Sequence, residues 1–182
     1  LNREALQRHF QTEPLENFLK WSTIQATMYV GVAPYIPLEF LNIPLKHYHA
    51  VKNPGIGGLS VEAGYCTNLV HQYYHLKQWL DRSKVNVSQL SAICEIGAGY
   101  GAMALICRRL GFEGRYYIVD LPELAQVQAY YLNQTAPDYR SMVHWVKQPK
   151  SCDLLIACHS LSEMPEKERE GMMSQVEVKE YL

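Results

Sequence analysis

The chain has 182 residues, 48% of them hydrophobic, and a formal net charge of −1. That size and composition suffice for one sizeable buried core, and the near-neutral charge removes the electrostatic basis for a nucleic-acid partner. Apolar runs such as Leu154 to Cys158 have strand length and fall far short of the ~20 residues of a membrane span, so a soluble protein without a membrane partner is expected.

The sequence begins at Leu1, with neither an initiator Met nor a charged-then-apolar leader in view. Residues 1–58 are aromatic-rich and broken by Pro34, Pro37, Pro44 and Pro54, which predicts short helices and turns wrapping another element as an N-terminal helical cap. Asn53 to Gly58 is the strongest loop signal and is expected to be a boundary or mobile hinge. Residues 59–182 form the second unit. From about Gly64 the pattern is helical, with Tyr65, Leu69, Tyr73, Leu76 and Leu80 on one face.

Strand, glycine turn, helix and strand then follow in close order. Ile93 to Ile96 is an apolar strand, and Gly97, Gly99 and Gly101 let the backbone turn sharply and approach a ligand without a Cβ in the way. A helix from about Ala102 to Leu110 ends with Arg108 and Arg109 beside its negative terminus and Gly111 as its stop. Tyr116 to Val119 is the second strand, and it delivers the carboxylate of Asp120. The span from Gly97 to Asp120 suits one βαβ unit and puts an acceptor where ribose hydroxyls need one. The next helix opens with Pro122 and Glu123 and carries Leu124, Val127 and Tyr131 along one side. Met142 to Val146 and Leu154 to Cys158 are the third and fourth strands, whereas Glu166 to Leu182 reads as a charged helix that adds no fifth. Strands alternating with helices imply an α/β fold with a parallel central sheet covered on both faces. Five cysteines, Cys66, Cys94, Cys107, Cys152 and Cys158, lack CxxC spacing and read as buried free thiols in a reducing, cytoplasmic setting.

Gly97, Gly99 and Ala102 also satisfy the dinucleotide fingerprint, so the turn by itself leaves an NAD(P)-dependent oxidoreductase open. Further features are Glu95 directly before the turn, the helix preceding the first strand, Asp120-Leu121-Pro122-Glu123, Tyr130-Tyr131-Leu132, and Ser160 to Pro165. With these, the stretch from Gly64 to Pro165 resembles the Rossmann-like S-adenosylmethionine-dependent methyltransferases, in particular the branch described as sugar O-methyltransferases. Ala98 and Ala102 make the turn less glycine-rich than is usual there. The resemblance implies a methyltransferase fold that binds S-adenosyl-L-methionine and methylates a hydroxyl of a sugar-like or other small molecule. It implies that the backbone of Gly97, Ala98, Gly99, Tyr100 and Gly101 passes under the methionine part and that Asp120 accepts from the ribose. Leu121 would pack on adenine or simply in the core, and Glu95 would steady the turn or meet the cofactor ammonium. Such folds have seven strands. With only four in view, the C-terminal strands are expected to be missing, either because the chain is a fragment or lacks internal residues, or because a second subunit of a homo-oligomer completes the sheet.

His159 follows the fourth strand, at the carboxyl edge where open α/β sheets bind ligands, and would serve as both cofactor contact and general base. Glu163, four residues on, could face the same cleft. The competing reading makes His159 structural and Glu163 the N3 member of a Ser160-Leu161-Ser162-Glu163 capping box. His71 and His75 have helical metal-pair spacing, with His47 and His49 as further candidates. No carboxylate lies between Gly64 and Leu80, and surface histidines without a metal are expected. A catalytically silent module of the same fold is the remaining alternative.

Overall fold

A computed structural model describes residues 2–28, 42–59, 61–158, 160–174 and 176–182. The chain opens with α1 (Arg3–Thr12), capped by the Asn2 side chain, which accepts from the Ala5 N–H at 3.0 Å. A 3-10 turn over Leu15–Lys20 leads into α2 (Ser22–Met28), and a second 3-10 turn spans Leu45–Val51. Pro34 and Pro37 lie outside the described residues. A short antiparallel hairpin follows, β1 (Val61–Glu62) and β2 (Tyr65–Cys66), so the helix predicted from Gly64 starts instead at Thr67. Ala63 and Gly64, both at positive φ, make the reversal that helical periodicity hid. The helix α3 (Thr67–Ser83) buries Leu69, Tyr73 and Leu76 as its spacing predicts.

The sheet is built from β3 (Ala92–Ile96), β4 (Arg115–Val119), β5 (Val143–Trp145), β6 (Cys152–Ile156) and β7 (Val178–Tyr181). Their order is β5-β4-β3-β6-β7, and every neighbouring pair is parallel. All of β3 is buried, because α4 (Ala102–Arg109) and α5 (Pro122–Thr135) cover one face of the sheet and α6 (Glu166–Met173) the other. Successive strands run outward from β3 to β5, and the chain then returns to β6 on the other side of β3. That reversal opens a crevice at the carboxyl ends of β3 and β6.

Residues 166–182 correct the sequence reading. Only Glu166–Met173 is helical, and Val178–Tyr181 supplies the fifth strand, with Cys152 paired to Val178 and Leu155 to Tyr181. Four mostly exposed residues carry no periodic signature. What defines this strand is the open edge of β6, with Lys179 Nζ donating to Asp153 Oδ1 at 2.6 Å.

The N-terminal segment shares one core with the larger sheet face. Phe18 is fully buried, edge-on to Tyr130 and Tyr131 at centroid distances of 6.0 and 6.3 Å, and 6.2 Å from Tyr100 of the glycine turn. At the start of α5, Arg3 Nη2 and Gln7 Nε2 donate to Glu123 Oε1 at 2.6 and 3.2 Å. Residues 45–52 pack elsewhere: Arg109, closing α4, donates to the carbonyls of Ala50 and Lys52. The expected hinge is also anchored. Asn53 Oδ1 accepts from the Gly55 N–H at 2.9 Å, and Gly58 lies so close to Leu19 that a Cβ would approach it to 2.8 Å. Phe18→Ala should lower stability by about 3–5 kcal/mol, as for other buried Phe truncations, measured by urea unfolding. A loss below 1 kcal/mol would show that the N-terminal segment docks without it.

Candidate functional site

The glycine turn is fastened at both of its neighbours. The Gly97 N–H donates to the Val119 carbonyl at 2.9 Å, joining the end of β3 to the end of β4. Ser160, arriving from beyond β6, donates its hydroxyl to the Ile96 carbonyl. Gly97 has a φ of +75°, and a Cβ there would run into the Ser160 side chain. The glycine is required by both backbone conformation and space. Gly101, with a φ of +97°, is the N-cap of α4, its N–H donating to the Ala98 carbonyl at 2.9 Å.

Asp120 closes the other side. Its Oδ1 accepts from the Leu121 N–H at 2.7 Å, while its Oδ2 accepts from the Gly99 N–H at 3.2 Å and from Gln128 Nε2 at 2.9 Å. Burial raises the carboxyl to about 6, against the pull of the donors Leu121, Gln128, Gly99 and Ala98. A carboxylate has about four acceptor directions. The Leu121 N–H falls on Oδ1, the Gly99 N–H and Gln128 fall on Oδ2, and the Ala98 N–H also bears on the carboxyl, so a ribose hydroxyl would have to compete with these donors for an oxygen. A ribose diol chelated by both oxygens would have to displace a donor from Oδ2.

The remaining predicted residues divide by what their side chains can reach. Gly97, Gly99, Asp120 and Leu121 are half-buried and line the carboxyl edge, and Leu121 also packs against the core. Ala98, Tyr100 and Gly101 are buried. Tyr100 turns inward and donates its hydroxyl to Asn68 Oδ1 at 2.6 Å. Glu95 is buried under the turn, accepting from the Tyr116 hydroxyl at 2.7 Å. Its partner is thus a neighbouring strand, not the turn backbone. Glu163 is exposed at the end of a 3-10 turn over Ser160–Glu163, and the Ser160 hydroxyl bonds Ile96 rather than capping that turn. His159 lies outside the described residues. Sequence reasoning passed over Ser160's role at Ile96, Tyr116, Asn68, Gln128 and Trp145. The one available signal was Gln128 itself, a polar residue on the apolar stripe of Leu124, Val127 and Tyr131.

No family model matches the chain, and no curated protein matches its sequence. Among solved structures it is similar to a coclaurine N-methyltransferase bound to N-methylheliamine and SAH, at 14% identity, 98% coverage of this chain, 56% of that chain and a TM-score of 0.49. It is also similar to PigF with SAH, at 17% identity, with 93% of this chain and 49% of that chain covered and a TM-score of 0.42. The chain spans about half the length of these structures.

Two cavities lie away from the carboxyl edge. One of about 330 Å³ sits at the amino ends of the strands between Ser91, Asp153 and Lys179, and another of about 360 Å³ lies beside His47, Lys84 and Leu110. Neither adjoins the glycine turn. His71 and His75 face each other with Nε2 atoms 3.3 Å apart, but His47 bonds the Tyr73 hydroxyl and His49 the Arg109 carbonyl. No group of three or more His, Cys, Asp or Glu able to hold a metal ion forms among the described residues. Tyr73 is buried, Tyr65 packs edge-on to Tyr48, and Tyr74 is exposed. All five cysteines are free, four of them buried and Cys158 half-buried. No described helix is long and apolar enough to cross a membrane.

Glu95 makes stability depend on pH. Burial, with smaller repulsions from Asp120 and Cys94, lifts its carboxyl from 4.5 to about 8, against the pull of the Tyr116 hydroxyl. Between those values the folded chain keeps a proton that the unfolded chain releases. Stability therefore falls as pH rises through that window and levels off above about 8, with a slope of up to ~1.4 kcal/mol per pH unit. Glu95→Gln, which still accepts from Tyr116, should flatten this slope in urea titrations at pH 5, 6.5 and 8. An unchanged slope would assign the effect to another group.

Proposed function

We propose that this chain binds S-adenosyl-L-methionine and transfers its methyl group to a hydroxyl of a sugar-like or other small molecule. The observation that carries the reading is the pairing of an accessible glycine turn after β3 with a desolvated carboxylate after β4, tied together by the Gly99 N–H. The donor set fits the nucleoside end of that cofactor. The Asp120 carboxylate and the Gly97 and Gly99 backbone lie half-buried together at the carboxyl edge, where a ribose hydroxyl would compete for an Asp120 oxygen. The sugar-like acceptor rests on the sequence resemblance alone, carried by Asp120 to Glu123 and Ser160 to Pro165.

When bound, the cofactor supplies an activated methyl group on a sulfonium. The chain's own contribution is to hold the nucleoside through Asp120 and the turn, and to orient an acceptor oxygen in line with the methyl-sulfur bond. Proton removal from that hydroxyl is proposed for His159, supported by its sequence position just after β6. Glu163, exposed four residues later, would orient rather than transfer a proton.

Calorimetry with S-adenosylhomocysteine and with NAD tests the cofactor. S-adenosylhomocysteine should bind and NAD should not, and Asp120→Ala should weaken binding by about 1–3 kcal/mol. NAD binding without a response to S-adenosylhomocysteine would replace this reading with an oxidoreductase. His159→Ala should leave S-adenosylhomocysteine affinity nearly unchanged while lowering turnover by about 10²–10⁴-fold and removing the acid limb of the pH profile. Normal turnover in that variant would move the base elsewhere.

A further inference from the structure

Gln128 is fully buried at the crossing point of three elements. Its Nε2 donates to the Gly99 carbonyl and to Asp120 Oδ2, each at 2.9 Å, and its Oε1 accepts from Trp145 Nε1 at 2.7 Å. Chemistry leaves no ambiguity about which way the amide points. An indole N–H can only donate, so the atom facing it is the amide oxygen; a carbonyl and a carboxylate accept, so the NH₂ group faces both. Trp145 is itself held, with the Arg140 guanidinium 4.1 Å from its ring centroid. A buried amide on an otherwise apolar helix stripe, with both its hydrogens used, is an expensive way to fill space. Its position on the turn carbonyl and on the acid explains it.

We infer that Gln128 is a positioning residue for the nucleoside site: its amide, oriented by Trp145, clamps the Gly99 carbonyl to the Asp120 carboxylate and keeps Asp120 an acceptor for a ribose hydroxyl. This inference rests on the cofactor reading above. The clamp acts on Asp120 in two ways. It fixes the orientation of the carboxylate through Oδ2, and it supplies a donor that favours the ionised form of a carboxyl whose burial favours the neutral one. Around Asp120, the turn contributes the Gly99 and Ala98 N–H groups, the start of α5 contributes the Leu121 N–H, and β3 brings Glu95, whose carboxyl the Asp120 charge helps to raise. Arg140 bears on the network through the Trp145 ring. Without the amide, the ionised carboxylate loses a donor and Asp120 holds its proton to higher pH.

The test combines calorimetry of S-adenosylhomocysteine and its 2′,3′-dideoxy analogue at pH 5 to 8 with a ¹³C carboxyl titration of Asp120 in the ligand-free protein. Gln128→Leu, Gln128→Glu and Trp145→Phe are compared with the unaltered chain, and thermal melts verify folding. At pH 7.5, Gln128→Leu should bind S-adenosylhomocysteine about tenfold or more weakly, the loss of a hydrogen bond to a charged group. The loss should vanish for the dideoxy analogue, and the Asp120 midpoint should rise. Gln128→Glu should raise the midpoint further by repulsion, and Trp145→Phe should shift both readouts in the same direction by a smaller amount. Equal affinity with an unmoved midpoint would overturn the clamp. A loss equally large for the dideoxy analogue, again with an unmoved midpoint, would also overturn it by reducing Gln128 to a packing role. If the unaltered chain binds no S-adenosylhomocysteine, the cofactor reading fails, and the ligand-free titration of Asp120 still decides whether Gln128 controls the carboxylate.

Discussion

The desolvated carboxylate of Asp120 is the constraint on which the arrangement of the carboxyl edge depends. A buried carboxylate is tolerated only where donors replace its water, and here the donors are the backbone of the glycine turn, the first peptide of α5 and the Gln128 amide. Meeting that demand locks the ends of β3 and β4 to each other more tightly than strand pairing alone would. The turn cannot relax without stranding the acid. The acid in turn cannot rotate without stranding Gly99 and Gln128. Rigidity of this kind is what a ligand site needs, because the orientation of the groups is settled before the ligand arrives.

Glu95 and Asp120 form an unusual neighbourhood of two acids at the ends of adjacent strands, and the fold treats them differently. Glu95 has one side-chain donor, Tyr116, and deep burial, so its neutral form dominates at pH 7. Asp120 has several donors and a partly open face, so its ionised form prevails there. Separate environments thus divide two carboxyls into one proton holder and one hydrogen-bond acceptor. The neutral Glu95 limits the charge repelling Asp120, and with Tyr116 it forms part of the polar floor beneath the turn.

The N-terminal segment stabilises this edge from the outside. Phe18 against Tyr100 and Tyr131, and Arg3 and Gln7 on Glu123, bring α1 and the Leu15–Lys20 turn onto α5 and the inward side of the glycine turn. Residues 45–52 fasten to the C-terminus of α4 instead. Among the described residues, 2–28 and 45–52 thus have different anchoring points and both contribute to the same apolar core.

Local signals carried a good deal of this. Period and composition in residues 92–135 were enough to locate β3, α4, β4 and α5 to within a residue or so, because each is a continuous stretch whose turn and capping residues, Gly101, Gly111 and Pro122, act on their own neighbours. The glycine turn and Asp120 were legible for the same reason, since their spacing is that of a single βαβ unit. β7 was not, because four exposed residues become a strand only when β6 offers an unpaired edge. Nor was the inward turn of Tyr100 toward Asn68, the partnership of Glu95 with Tyr116, or the clamp of Gln128 and Trp145. Each of these joins residues from different elements through a hydrogen bond whose value comes from shared burial. Sequence by itself determined which groups were available; only the packing of α5 and β5 beside the turn decided which of them would meet.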